Sequence, residues 1–238
     1  MLKRIRPDKI SGFIGHNKNL VANRELTVRT VCEKCNHGWM NLLEQANIPL
    51  LGPLIDDNPR FIDMPQQMTI AAWAIKTAMV LDSATARASS SSMFYTQEER
   101  IALKVSSSIP PRTTVTLARF LGSKDIGTSN THIRVRGDMG AFPACITTFL
   151  LNCLVIQIVT LHPIAEYANR TIVIGSAEGP WDHLIVSCWP ANGRTIYWPP
   201  VLALDFSDTA LNFYKFADRF NLGRELPIPP KGGLGGFG

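Results

Sequence analysis

Residue types and spacing point most directly to chemistry in Cys32-Glu33-Lys34-Cys35-Asn36-His37-Gly38-Trp39-Met40. Two thiolates two residues apart can chelate one Zn²⁺, because the turn between them aims both sulfurs at one point. Structural zinc is almost always four-coordinate, so the pair is half a site, and the chain contains no second Cys-x-x-Cys. Cys145, Cys153 and Cys188 lie in stretches that read as strands, where each is expected to serve as a small buried hydrophobe.

The residues after the thiol pair add a polar surface. A helix is expected over 37–47, stopped by Pro49. At about 100° per residue, His37, Asn41 and Glu44 fall within about 60° of one another. Trp39, Met40, Leu42, Leu43 and Ala46 occupy the other side and should turn to the core. Such a polar face either holds a divalent cation or a phosphate, or is the solvated side of an amphipathic helix, and spacing alone does not choose.

The rest of the chain must position this unit. Residues 25–31 alternate apolar and polar side chains and predict a half-buried strand running into Cys32. A second helix is expected over 65–82, apolar around most of its circumference and hence central. The serine run at 88–92 reads as a linker between a region 1–87 and a β-rich region 93–222. A short helix over 96–105 should be followed by strands at 113–121, 131–136, 146–161, 171–174 and 183–189. Asn192-Gly193 predicts a hairpin turn into 194–198. A helix over 207–220 capped by Ser207 should close the fold, and the glycine-rich 223–238 should be a tail. The fold class read from this is α+β.

Charge is unevenly placed. Residues 1–40 hold eight basic side chains (Lys3, Arg4, Arg6, Lys9, Lys18, Arg24, Arg29, Lys34) against three acidic ones, which accounts for the whole net charge of +5. The excess therefore surrounds the cysteine motif, as expected if that end approaches a polyanion; a basic terminus without a partner gives the same pattern. Five cysteines without a framework, and a start (Met-Leu-Lys-Arg-Ile-Arg-Pro-Asp-Lys) lacking an apolar h-region, point to a reducing cytoplasm. Residues 144–161 are apolar enough to raise the question of a membrane span. They are rich in β-branched residues and divide around Asn152-Cys153, which fits two buried strands and a tight turn, with no membrane crossing.

A strand, then Cys-x-x-Cys-Asn-x-Gly-Trp-Met, a helix, and a second helix containing Trp73-Ala74-Ile75-Lys76-Thr77-Ala78, resembles bacterial and phage HNH endonucleases. The resemblance is specific over 31–43 and fainter through Trp198-Pro199-Pro200. It implies a partial ββα-metal unit in which structural Zn²⁺ staples the strands and one catalytic Mg²⁺ or Mn²⁺ neutralises charge on the scissile phosphate. Carried over, Cys32 and Cys35 match zinc ligands, and Asn36 matches the motif's first asparagine. His37 stands where a second asparagine is usual and is a candidate metal ligand; Asn41 is a candidate on the helix. The family's upstream Cys-x-x-Cys and acidic-His pair have no counterpart, so the chain reads as starting after the first half of the site. His16 is the sole upstream histidine and the only candidate general base there. Lys3, Arg4, Arg6, Lys9 and Lys34 are the candidate DNA contacts.

Other residues read more plainly. Arg119, Arg134 and Arg136 fall on strands and either track a phosphate backbone or solvate a sheet edge. Trp189 and Trp198 flank the Asn192-Gly193 turn and are expected to pack across a hairpin. His132, His162 and His183 are scattered and suggest no triad. Three functions remain open: a metal-dependent endonuclease, a zinc-stabilised nucleic-acid-binding module, or a phage accessory protein that keeps the fold for stability.

Overall fold

Helix α3 (Met64–Ser89) is the element on which the others are laid, and its composition explains why. Ile70, Ala71, Ala74, Ile75 and Ala78 are all fully buried, and Trp73 and Met79 nearly so, which leaves little of the helix facing water. The computed structural model describes residues 10–14, 21–22, 31–89, 92–122, 126–137, 140–162, 183–205 and 216. The α3 start is a reciprocal cap: Asp63 Oδ1 accepts the Gln66 N–H at 2.9 Å, and the Asp63 N–H donates to Gln66 Oε1 at 3.1 Å. One residue on, Gln67 is buried and donates to the carbonyls of Ile62 and Arg194, tying the helix's first turn to two segments distant in sequence from each other.

Helix α2 (Asn41–Ile55) packs on α3 through Leu50, Leu51 and Leu54. It runs through Pro49, which was expected to stop it, and through Pro53 as well. Each proline removes one N–H bond to the carbonyl four residues back. The carbonyl lost to Pro49 belongs to exposed Gln45, within reach of water. The carbonyl lost to Pro53 is that of Pro49, and Arg60 Nη1 donates to it at 2.8 Å. With those groups satisfied, burial of three leucines outweighs the proline penalty. The Ile55 carbonyl at the helix end accepts from Asn152 Nδ2 at 2.7 Å and from the Cys153 N–H at 3.3 Å, so a sheet turn caps it.

Among the described residues the main sheet has seven strands, β1 (Ile10–Ile14), β2 (Val21–Ala22), β4 (Thr113–Arg119), β5 (Ile126–Gly137), β6 (Gly140–Leu151), β7 (Leu154–Leu161) and β8 (Ile185–Trp189), in the order β2-β1-β5-β6-β7-β4-β8. Among the described strands, β1 and β5 pair in parallel and the other pairings are antiparallel. Strand β3 (Arg60–Ile62) pairs with β9 (Ile196–Trp198) in a separate two-stranded sheet. A fourth helix, α4 (Gln97–Ser106), starts at a Thr96/Glu99 capping box. The architecture is α+β, as the sequence predicts.

Both faces of the sheet are covered, which is why β7 is buried at every position. Val115, Leu117, Phe149, Ile156 and Ile158 share one core with α2 and α3. Ala118, Leu150 and Val155 point the other way, into a smaller core with Phe120, Leu184, Leu204 and Phe216. The uncharged 144–161 run is thus the centre of a two-sided sheet, with Asn152 in a tight turn at φ 55° and Gln157 donating to Thr148 Oγ1 and the Phe216 carbonyl. Among the described residues, no helix is long and apolar enough to cross a membrane.

Several expectations change. Asn192-Gly193 is a turn, with Gly193 at φ 77° and the Arg194 N–H donating to Asn192 Oδ1, but it does not close a hairpin. Strand β8 pairs with β4 and β9 with β3, so Trp189 and Trp198 lie in different sheets, opposite Val115 and Arg60. Pro190 ends β8 because it has no N–H to continue the ladder. Helix α3 extends to Ser89, into the serine run read as a linker. Arg119 holds Asp57 through Nε at 2.9 Å and through Nη2, a two-pronged pair that fixes the turn after α2. The strand expected over 25–31 (save Val31), the strand over 171–174, the helix over 207–220 (save Phe216) and the tail 223–238 lie outside the described residues.

Ile75→Ala at the middle of α3 should lower unfolding free energy by about 2–5 kcal/mol in urea denaturation. A loss below about 1 kcal/mol would contradict a central, closely packed α3.

Candidate functional site

The thiol pair sits at the start of a broken helix. Cys32 caps a single turn, α1 (Glu33–Cys35), and its Sγ accepts the Cys35 N–H at 3.2 Å. A widened turn, Asn36–Met40, follows, with Gly38 at φ −93° and ψ −118°, outside helical values, before α2 begins at Asn41. This kink corrects the expected helix over 37–47: the 100° step that put His37 and Asn41 on one face does not carry across Gly38. Glu44 is already used, by a 2.7 Å ion pair with Lys76, whose own side chain is almost fully buried. On the apolar side, Trp39 and Leu43 pack against the core as expected, whereas Leu42 is 70% exposed.

Cys32 is exposed and Cys35 half-buried; Lys34, Asn36, His37 and Asn41 are all exposed. Cys32 and Cys35 open onto a cleft of about 360 Å³ between the thiol turn, α3 and α4, with Trp39 and Met79 in its lining and Lys104 at its α4 side. The hydrogen bond from Cys35, aided by the charge of Lys104, holds the Cys32 thiol below its ordinary value of 9.0. Arg100 also lines the cleft, but its guanidinium is spent on the Tyr95 and Thr96 carbonyls and Ser83 Oγ. Lys3, Arg4, Arg6, Lys9 and His16 lie outside the described residues. Among the described residues, His37 does not join Cys32 and Cys35 in a three-ligand cluster.

A second constellation was not legible as one. His132 of β5 stands directly opposite Cys145 of β6, which stands opposite Thr160 of β7, which stands opposite Thr113 of β4. These four side chains form one polar row on the face covered by α3. Asp82, fully buried near the end of α3, meets the row: its Oδ1 is 2.8 Å from His132 Nε2, while Oδ2 accepts the N–H groups of Phe94 and Tyr95 at 2.9 and 3.1 Å. The Cys145 thiol donates to Asn130 Oδ1 at 3.3 Å, and Thr147 Oγ1 donates to the same oxygen at 2.7 Å. Tyr95 hydroxyl and Thr160 Oγ1 share a 3.1 Å bond. Ligand atoms of Asp82, His132 and Cys145 lie within 4.8 Å of one another. Burial, and then the charge of Asp82, push the Cys145 thiol far above its ordinary value, so it is a neutral donor here.

The expectation that Cys145 and Cys188 are buried hydrophobes holds for accessibility, and for Cys145 it omits the polar company it keeps. Residues 130 and 132 alternate onto one face of a strand, but Asp82 is 50 positions from His132, a separation no local motif records. His162, also scattered in the sequence, donates to or accepts from Glu99 at 2.9 Å and stacks on Phe94 at 4.1 Å. The side chains of Arg134 and Arg136 lie outside the described residues.

Comparison with known proteins finds no match: no family model, no curated protein and no solved structure is significantly similar to the chain.

Limited alkylation of chelator-treated protein, read by mass spectrometry, should label Cys32 first, with a rate that levels off below pH 9.0, because its thiolate is stabilised and open to solvent. Cys145 and Cys188, both fully buried and the latter pushed up to about 12, should react only on unfolding. Equal labelling of all three in the native protein would contradict this placement.

Proposed function

We propose that the protein is an HNH-type hydrolase of nucleic-acid phosphodiester bonds, with the Cys32–Met40 turn as the zinc-bearing half of its site. The observation that carries this reading is the capped turn: Cys32 and Cys35 project from one helical turn, joined through the Cys35 N–H, at the exposed head of a helix. A Zn²⁺ held there would take both thiolates; His37, in the widened turn that follows, would have to swing toward the sulfurs to ligate as well. Asn36 and Asn41 are then the polar side chains nearest the substrate. Mg²⁺ or Mn²⁺ would supply charge neutralisation at the phosphate. In this reading His16 is the candidate general base, and Lys3, Arg4, Arg6, Lys9 and Lys34 meet the DNA backbone, so binding weakens steeply with salt. No disulfide joins the five cysteines among the described residues, which suits a reducing cytoplasm.

Supercoiled plasmid incubated with the protein and Mg²⁺ or Mn²⁺ should be nicked, and His37→Ala or Asn36→Ala should reduce nicking by on the order of 100-fold or more. Zinc analysis should find one equivalent fewer in Cys32→Ser/Cys35→Ser. Salt-sensitive DNA retention without cleavage in any metal would overturn the hydrolase in favour of a zinc-stabilised binding module. No retention at low salt would overturn both.

A further inference from the structure

We propose that Asp82, His132 and Cys145 form a second metal site, for Zn²⁺ or a similar borderline cation, inside the fold and separate from the Cys32–Cys35 turn. The donor set is a carboxylate oxygen, an imidazole nitrogen and a thiol sulfur, within 4.8 Å of one another. Around a tetrahedral Zn²⁺, bond lengths of about 2.0–2.3 Å place such ligand atoms about 3.3–3.6 Å apart. The pairs are therefore within a side-chain rotation of ligating distance. Asp82 Oδ1 and His132 Nε2, at 2.8 Å, need only part slightly to admit an ion. One aspartate and one thiolate balance the double charge of the cation, and the neutral imidazole completes three protein ligands. The thiol proton displaced on binding passes to solvent.

Three features of the surroundings suit a metal better than a plain buried ion pair. Asp82 is wholly buried, and its Oδ2 is fixed by the Phe94 and Tyr95 N–H groups, which leaves Oδ1 aimed at the cluster. That is the outer support ligating carboxylates require. Asn130, 6% exposed, binds the Cys145 thiol through Oδ1, yet its own Nδ2 is buried with no hydrogen-bond partner among the described residues. A metal-bound thiolate needs a donor, and turning this amide over would supply one. Finally, His132 is at the surface, 35% exposed, so the otherwise closed cluster has an opening for an ion and for a water as fourth ligand. Cys145 itself is fully buried, which argues against its use as a nucleophile on an external substrate.

The test is Co²⁺ titration of full-length Cys32→Ser/Cys35→Ser, in which the surface thiols cannot contribute. One equivalent should bind with a near-ultraviolet sulfur-to-cobalt charge-transfer band. Adding Cys145→Ser should remove that band, and His132→Gln should weaken binding by on the order of 100-fold, the upper end of what loss of a supporting residue alone costs. No charge-transfer band in Cys32→Ser/Cys35→Ser, or one that survives Cys145→Ser, overturns the site. Should either serine variant fail to fold, His132→Gln in the otherwise unaltered chain decides. Circular dichroism checks its fold, loss of one equivalent supports the site, and unchanged cobalt binding overturns it. Neither result bears on plasmid nicking, so this proposal and the hydrolase reading fail separately.

Discussion

The carboxylate of Asp82 is the polar constraint to which the helical layer and the sheet both answer. A carboxylate removed from water costs several kcal/mol unless its oxygens are paired. Here the partners come from two other parts of the chain: backbone N–H groups at Phe94 and Tyr95, and the imidazole of His132 in β5. Satisfying one side chain thus fixes the axial position of α3 on the sheet and the path of the chain into α4. A slip of one residue would bring Leu81 or Ser83 to that spot and leave two N–H groups and an imidazole without their acceptor. The apolar contacts of α3 would survive such a slip far better, since burial is not directional.

The same helix connects the two candidate sites. Asp82 enters the polar row on the sheet side, while Lys76, Met79, Val80 and Ser83 line the cleft onto which Cys32 and Cys35 open. Lys76 also pairs with Glu44 of α2, so the helix carrying the buried carboxylate holds the helix that follows the thiol turn. Position along α3 therefore sets both the inner cluster and the cleft wall. The thiol turn keeps some independence through the break at Gly38, which separates the direction of α1 from that of α2.

What could be read from sequence followed the range of the interactions involved. Local signals carried well: the short helix expected over 96–105, the apolar girth of α3, and the division of 144–161 at Asn152-Cys153 are all patterns written within one stretch of chain. Errors arose where a distant partner changed a local rule. Pro49 should stop a helix, and does not, because buried leucines of the same helix offset its cost. Asn192-Gly193 should close a hairpin, and does not, because β8 and β9 find partners in β4 and β3. Glu44 looked available for a ligand until Lys76 took it. The inner cluster was invisible for the same reason, since its members come from α3, β5 and β6 and share no spacing. Cys32 and Cys35 were legible because two residues suffice to define a turn.

Native-state hydrogen exchange at the Phe94 and Tyr95 amides measures the Asp82 constraint most directly. With the carboxylate as acceptor, both amides should exchange only through large-scale unfolding, and Asp82→Ala should speed them by about 10- to 100-fold beyond its effect on helical amides of α2. Fast exchange of these two amides in the unaltered protein, or no selective change in Asp82→Ala, would contradict the account.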